Sequence, residues 1–583
     1  MKKEAKMKRI SISFCFFLLL TGTLFAQPKE VTIKLIHTSD IHGQIFSYDY
    51  IKNCSFDGGL SRVSSYVNEQ RRKYPNRVLL LDGGDILQGK PSAYYYNYLD
   101  TISPHLCAQM FNYIGYNAIA IGNHEIETGH SVYERWVRLN NAPVLGANVL
   151  REDGSCYLKP YEVFEIEGVK IAVLGLLTPS IPVWVPEKKW KGLRFEDMEA
   201  SARKWMNIIR EKEDPDIVVG LFHSGVIYSK LEGMYNENAS AEVARNVPGF
   251  DVVLAGHDHT TCLKKVLNAA GDSVLVINPG YGAFQVSDVL FDIKLNNGKV
   301  VAKSVEGNLQ RMKEVERDSA FLRHFDSQIE DVKKFIFRPI GKFSKSVSVR
   351  DAYFGPSAYI DIVHSIQLQE TGAEVSFTAP LSFDAQVDKG MIRVYDLFNL
   401  YQFENQLYTI DLTGTEIRNY LEFSYNLWIN EMKSPDDHLL LLKKDDYTGK
   451  YIFQDYPYRF DSAAGIIYTV DVSKPFGSRV VIEKMANGKP FDLKRHYKVA
   501  INSYRACGGG GHLTSGAGIE KDSLNKRILA TSPMDLRYYL MEWIVKKGNI
   551  NPKTLNQWRF IPENWVKEAA KRDKKLLFET IDN

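Results

Sequence analysis

Between residues 31 and 292, short apolar runs rich in β-branched residues alternate with longer stretches whose apolar positions recur every three or four residues. Val31–Ile36, Val78–Leu81, Ala118–Ile121, Val144–Leu145, Ile171–Leu176, Ile217–Phe222, Val252–Leu254 and Val274–Ile277 have the length and composition of buried strands. Leu60–Lys73 and Ala200–Lys212 carry the helical period. Strands and helices alternating in this way predict an α/β sandwich whose sheets are covered on both faces. Near Glu314–Lys334 the pattern becomes a charged helix with Phe321, Phe325 and Phe335 spaced along it, which reads as a linker. Beyond Ile336 the pattern is mixed, with a helix near Tyr359–Thr371, strands near Gln406–Leu412 and Ile466–Val472, and a late helix at Asp535–Lys546. The expected organisation is a leader over residues 1–26, an N-terminal α/β domain over 27–312, a linker helix over 313–335, an α+β domain over 336–566 and a tail over 567–583.

The leader is read from its own pattern. Lys2, Lys3, Lys6, Lys8 and Arg9 precede the apolar run Ile10–Leu20, and small residues lead up to Ala26. That is the layout of a secretory signal peptide cut after Ala26. The apolar run is shorter than the ~20 residues that span a bilayer, so no membrane span is expected after its removal. The mature chain is expected to be periplasmic or otherwise exported. It keeps five cysteines (Cys54, Cys107, Cys156, Cys262 and Cys507), an odd number that leaves at least one unpaired.

Composition narrows the picture further. A chain of 583 residues exceeds what one core holds, roughly 250–300 residues. With 44% hydrophobic and 25% charged residues it is neither disordered, nor collagen-like, nor a polytopic membrane protein. The 73 basic and 70 acidic residues give +3, so no basic excess points to a nucleic-acid polymer.

The chemistry gathers where the N-terminal strands end. Val31–Ile36 runs into His37-Thr38-Ser39-Asp40-Ile41-His42-Gly43, Val78–Leu81 into Asp82-Gly83-Gly84-Asp85, and Ala118–Ile121 into Gly122-Asn123-His124-Glu125. Ile217–Phe222 ends at His223-Ser224-Gly225, and Val252–Leu254 at Ala255-Gly256-His257-Asp258-His259. In α/β sheets ligands bind beyond the carboxyl ends of strands, so these loops can converge on one site. One such piece alone is a turn, a cap or a core histidine. Five in a row, each after an apolar strand, point to a metal centre. Mixed imidazole and oxygen donors suit Zn²⁺, Mn²⁺ or Fe²⁺ better than Ca²⁺.

This set, Asp-x-His, Gly-Asp, Gly-Asn-His-Glu, His and Gly-His-x-His, resembles the calcineurin-like metallophosphoesterases. The chain as a whole resembles the periplasmic nucleotidase group within them, which adds a C-terminal nucleotide-specificity domain. The resemblance implies a four-layer α/β/β/α catalytic sandwich with two divalent ions, one held by Asp40, His42 and His259 and the other by Asn123, His223 and His257, with Asp85 bridging. His124 would steady charge on the transferring phosphoryl group or protonate the leaving oxygen. Two ions of this kind activate water for in-line attack without a serine or cysteine nucleophile. The family often has Asp or Asn three residues after this histidine, where this chain has Glu127, which is therefore left outside the expected site. Asp258 reads as a loop-structuring residue.

For the second domain the resemblance implies two aromatic rings that sandwich a base. The matching stretches are Leu400-Tyr401-Gln402-Phe403-Glu404-Asn405 and Asn502-Ser503-Tyr504-Arg505-Ala506-Cys507-Gly508-Gly509-Gly510-Gly511. Phe403 and Tyr504 would stack on the base and Asn405 would bond its edge. The glycine run suggests backbone that must approach something closely. Asp85-Ile86-Leu87-Gln88-Gly89-Lys90-Pro91, Asn502–Ala506 and Asn556-Gln557-Trp558-Arg559 resemble the 2′,3′-cyclic-nucleotide 2′-phosphodiesterase/3′-nucleotidase branch. Where the 5′-nucleotidase branch has an Asn/Gly-rich segment with an arginine, this chain has Thr378-Ala379-Pro380-Leu381-Ser382-Phe383-Asp384. The expected function is hydrolysis of 2′,3′-cyclic and 3′-nucleotides by a monomer acting on a small nucleotide. The alternatives are a 5′-nucleotidase or UDP-sugar diphosphatase and, in another class, a non-catalytic exported nucleotide-binding protein.

Overall fold

A computed structural model describes residues 29–226, 236–445 and 449–579, so the leader over 1–26 lies outside the described residues. Two six-stranded sheets form the N-terminal half. In the first, strand Lys29–Thr38 lies parallel beside Val78–Asp82, which is followed by Ala118–Ala120 and Val144–Leu145. In the second, Val169–Leu177, Ile217–His223, Val252–Ala255 and Ser273–Asn278 run parallel in that order. Each strand alternates its side chains between faces. Ile33, Leu35, Leu79 and Leu81 of the first sheet therefore meet Ile171, Val219, Leu221 and Leu254 of the second in one buried core. The outer faces take helices, Leu60–Lys73 and Leu106–Ile114 on one side, Met198–Lys212 and Ser240–Asn246 on the other. This is the four-layer α/β/β/α sandwich. A long antiparallel hairpin, Gln285–Asn296 with Lys299–Arg311, closes one edge of the first sheet.

The α+β half is built on a five-stranded sheet in the order Ser462–Ala464, Val375–Thr378, His496–Asn502, Gln406–Thr413, Ile528–Asp535. Between the halves lie two short helices, Ser319–His324 and Asp326–Ile336, in place of the single expected helix. Their phenylalanines are anchors. Phe321 and Phe325 pack on Tyr113 at 5.6 and 5.5 Å, and Phe335 stacks on Tyr94 at 6.4 Å. The segment is thereby glued to the first half along its length.

The expected tail over 567–583 departs from the structure. Residues 567–578 continue the helix Glu563–Phe578, whose Val566, Ala569 and Asp573 are buried. Asp573 accepts the Leu440 amide at 2.9 Å and pairs with His438, so an acidic side chain anchors this end of the chain. The reading went astray because the helix is mostly charged, with buried contacts at few positions. All five described cysteines carry free thiols, and among the described residues no helix is long and apolar enough to cross a membrane.

The second half also holds a fully buried ion pair. Arg505 Nε donates to Asp461 Oδ2 at 2.7 Å, with the side chains 2% and 1% exposed, and Tyr420 donates to the same oxygen at 2.6 Å. Removing one member leaves a charge stranded away from water. Asp461→Ala is expected to destabilise this half by about 3–5 kcal/mol, seen as an early transition in urea unfolding. A loss below about 1 kcal/mol would assign the pair the weight of a surface bridge.

Candidate active site

The parallel registers bring five strand ends to one edge. His37 lies opposite Leu81, Leu81 opposite Ala118, and Phe222 opposite Ala255. Past these ends come Asp40 and His42, then Asp85, then Asn123, and from the second sheet His223, His257 and His259. Asp40, His42, Asp85, His257 and His259 all have φ between 51° and 76°. Non-glycine residues are held in this left-handed region at a cost of about 1–3 kcal/mol each, and such strain clusters at functional sites. Gly122 makes room for the arrangement, since a side chain there would collide with Asp85 Oδ1.

The donor set fits divalent cations. His223 Nδ1 donates to the Gly83 carbonyl at 2.6 Å, which leaves Nε2 as an acceptor. That Nε2 faces Asp85 Oδ2 at 3.0 Å and Asn123 Oδ1 at 3.0 Å, and His257 Nδ1 lies 2.8 Å from the same Asn123 oxygen. Lone pairs turned on one another repel unless a proton or a cation sits among them. Burial alone would lower the His223 imidazole, but Asp85 outweighs it and raises it to about 9. On the other side His42 Nε2 and His259 Nε2 come within 2.8 Å, with Asp40 Oδ1 3.5 Å from His259. Asp40, His42 and His259 form one ligand-like trio and Asp85, His223 and His257 another, while Asp85 also groups with His42 and His124. Asp85 thus belongs to the second trio and, through its grouping with His42, links it to the first.

The His124 amide donates to Asp85 Oδ1 at 2.8 Å. Its Nδ1 bonds Glu127 Oε2 at 2.5 Å, leaving Nε2 turned toward the cluster, 3.9 Å from Asp85 Oδ2. Burial would lower this imidazole, yet Asp85 and Glu127 raise it to about 10. Glu127 therefore does reach the ring, because one helical turn places residues three apart on the same face. Glu125, named in the motif but given no role from sequence, has one here. Its two carboxylate oxygens accept four backbone amides, from Asp85, Ile86, Leu87 and Gly122, at 2.7 to 3.0 Å. One buried side chain thus pins the Asp85 loop to the Asn123 turn. The sequence showed it as the last residue of the Gly-Asn-His-Glu motif, with nothing to say that it would bond four amides. Asp258 accepts from Val226, Thr260 and Asn278 at 2.7 to 3.0 Å, tying three loops behind His257.

The segments expected to read a base start from the same end of the second half's sheet. Leu407 lies opposite Asn502 in antiparallel register, so the chain just before one strand and just after the other sits at the same edge. Phe403 and Asn405 precede the first of these strands, and Tyr504 follows the second. The helix Ser503–Ala506 packs on the turn Ile181–Trp184, whose Trp184 stacks on His257 at 5.4 Å. Asn405 is buried and its amide lies 3.4 Å from the Tyr401 hydroxyl. The close approach expected of the glycine run is to the protein itself. A side chain at Gly509 would strike the Tyr504 ring, and the Gly509 carbonyl accepts from Arg505 at 3.0 Å.

Between Phe403 and Asn405, Glu404 is buried at the seam of the two halves. Its Oε1 lies 3.8 Å from Arg537 Nη1, and neither atom has a hydrogen-bond partner among the described residues. Lys189, Asp535, Tyr98 and Glu127 lie close enough to influence it or one another.

Comparison with known proteins gives this geometry its class. Residues 33–261 match the calcineurin-like phosphoesterase family, and residues 339–515 match the 5′-nucleotidase C-terminal domain. The chain is 26% identical to the 2′,3′-cyclic-nucleotide 2′-phosphodiesterase/3′-nucleotidase of Haemophilus influenzae, over 95% of this chain and 91% of that one. It is 25% identical to the 5′-nucleotidase of Vibrio cholerae, over 88% and 92%. With the trifunctional nucleotide phosphoesterase YfkN of Bacillus subtilis it shares 25% identity over 91% of its own length but only 39% of that protein. In fold it follows a Staphylococcus aureus protein solved with α-ketoglutarate, at a TM-score of 0.75 and 22% identity over 91% of this chain and 100% of that one. A cluster of this kind at the strand ends of a four-layer sandwich defines a metal-dependent phosphoesterase. The chain belongs to the calcineurin-like phosphoesterases that carry a 5′-nucleotidase C-terminal domain.

The seam gives a pH prediction. Burial, opposed by Arg537 and reinforced by Asp535 and Glu127, pushes the Glu404 carboxyl up to about 7. An unfolded glutamate titrates near ~4.3, so between there and about 7 the folded chain holds the extra proton. Stability from this group falls as pH rises through that window and levels off above it. Glu404→Gln removes the titration, so its Tm advantage over wild type should widen from about pH 5 to about pH 7.5. A gap that stays constant with pH would show an ordinary carboxylate.

Proposed function

We propose that the protein is an exported nucleotide phosphoesterase that hydrolyses 2′,3′-cyclic nucleotides and 3′-nucleotides to nucleoside and phosphate. The observation that carries this reading is the meeting, across one seam, of the cation-fitting cluster and the Phe403–Asn405 and Tyr504 segments. The Haemophilus influenzae relative, similar over nearly the whole chain, favours the cyclic and 3′ substrates. The Vibrio cholerae relative favours 5′-nucleotides as the second reading. The basic, apolar and small-residue succession over residues 1–26 supports export.

Asp40, His42 and His259 would hold one divalent ion, and Asn123, His223 and His257 another, with Asp85 shared. Bound ions supply Lewis-acid charge for the phosphoryl oxygens and an activated water. The chain's own residues do the rest. Glu127 fixes the His124 ring through Nδ1–H and stabilises its cationic form, so Nε2–H is a donor directed at the phosphoryl position. From there it can steady developing negative charge or pass its proton to the departing ribose oxygen. Phe403 and Tyr504 would hold the base between them, fixing which ester bond faces the cluster.

The first test is a panel of 2′,3′-cyclic, 3′- and 5′-adenosine phosphates assayed with Mn²⁺ or Zn²⁺. Cyclic and 3′ substrates should lead, and a chelator should abolish turnover. A clear preference for the 5′-nucleotide would give the function to the second reading. Phe403→Ala and Tyr504→Ala should each cost about ten- to a hundredfold in kcat/KM on the nucleotide, with much less loss on p-nitrophenyl phosphate. Equal losses on both substrates would reduce these rings to packing.

The second test separates His124 from the ligands. His124→Ala should keep its metal content and lose about 10²–10⁴-fold in kcat. Glu127→Ala should fall in between, since the ring survives but loses its orienting partner. Loss of metal from His124→Ala would make the imidazole a ligand.

A further inference from the structure

A sixth strand end opens onto the same edge. Strand Val169–Leu177 lies parallel to Ile217–His223 with Leu177 opposite His223, and the Thr178 amide donates to the His223 carbonyl at 2.9 Å. The loop that leaves this strand therefore starts beside the cluster. Unlike the other five it places no histidine, aspartate or asparagine there. It carries three prolines and two tryptophans, Pro179, Pro182, Trp184, Pro186 and Trp190.

The two indoles are used differently. Trp190 donates its N–H to the Val185 carbonyl at 2.8 Å and packs edge-on against Phe195, so it builds the loop. Trp184 lays one face on His257, with ring planes 28° apart, and is half-buried. Among the described residues its N–H has no hydrogen-bond partner and no second ring stacks on it. The same loop then reaches the other half of the molecule. Its turn packs on the helix carrying Tyr504, and Lys188 Nζ donates to Thr531 at 3.2 Å and lies over the Tyr408 ring. Trp184 thus stands between the cluster and the helix of Tyr504. An indole is suited to that place because it combines a broad apolar face with one donor at its rim.

We propose that Trp184 is a substrate-contacting residue, the catalytic domain's own wall of the nucleotide pocket. Its open face lies along the ribose of a nucleotide whose phosphate is at the cluster, and its N–H donates to a ribose or phosphate oxygen. This rests on the nucleotide reading above. It adds a specificity-determining contact that travels with the cluster, not with the base-reading domain.

The test uses the full-length, metal-loaded enzyme with 5-fluorotryptophan at its eight tryptophans. The resonance missing from Trp184→Phe identifies position 184, and the other seven serve as internal controls. Adenosine, the product nucleoside, should shift that resonance at concentrations that inhibit turnover. In kinetics, Trp184→Ala should raise KM for the adenosine phosphate about tenfold or more while keeping its metal content. Trp184→Phe should recover the stacking part of that loss and not the N–H part. A resonance that stays still while wild-type enzyme turns over the nucleotide would overturn the proposal. So would loss of metal in Trp184→Ala that Trp184→Phe restores with unchanged KM, since the ring would then only prop His257. A wild-type enzyme inactive on every nucleotide would instead defeat the nucleotide reading itself.

Discussion

The whole site depends on crowding acceptor atoms against one another. His223 Nε2, Asp85 Oδ2 and Asn123 Oδ1 meet within about a hydrogen-bond length, yet the Nδ1–H of His223 is already spent on Gly83. Such a cluster is unfavourable in itself, and five of its members also sit in left-handed backbone. Only a rigid surround sustains that cost. The parallel strands supply one part of it, because their registers fix where each loop begins. Glu125 supplies another, since four amides converge on its carboxylate and hold the Asp85 loop and the Asn123 turn at one spacing. The same crowding would favour a divalent cation, since an ion there would relieve the repulsion that the fold imposes.

The second half of the molecule is joined to this frame by packing and by charge. Phe321, Phe325 and Phe335 bind the connecting helices to the N-terminal half, and Arg537 lies over the rings of Tyr94 and Phe398. Glu404 is the costly member of the seam, a buried carboxyl whose cationic neighbour stands too far for a direct bond. A seam closed only by apolar surface would be hard to reopen. Buried charge with incomplete partners favours hydration instead, which makes this the part of the contact most readily exchanged for water.

Much of this was legible in the sequence because it rests on short-range patterns. Leu60–Lys73 is a helix over the range its periodicity predicts, and the expected N-terminal strands are found within a few residues of their apolar runs. The metal-type residues were visible because each follows such a run. What was hidden depends on partners distant in sequence or on the reach of one side chain. Glu127 looked too long for its role until the helical turn set its distance to His124. The hairpin Gln285–Arg311 drew no strand expectation, because its second strand, Lys299–Arg311, is mostly exposed and polar. The helix Glu563–Phe578 was missed because its anchor, Asp573, is an acid buried against Leu440 and His438. Trp184 gave no signal at all, since an aromatic beside prolines reads as loop packing until the neighbouring strand end is known.

The Gly508–Gly511 run shows how the two halves differ in their means of holding a group in place. Around the cluster, glycine clears space for ligands that strain then aims. In the second half the glycine backbone is folded under the Tyr504 ring, and Arg505 is locked from three sides by Asp461, Gly509 and the Tyr458 carbonyl. Tyr504 therefore cannot follow a ligand by adjusting its own backbone. Trp184 and Glu404 lie at the seam, between this fixed ring and the cluster. The distance between the cluster and the Tyr504 ring is therefore set by how the two halves pack at this charge-bearing seam. A phosphoester held at one half and its nucleoside at the other would then report on that packing directly.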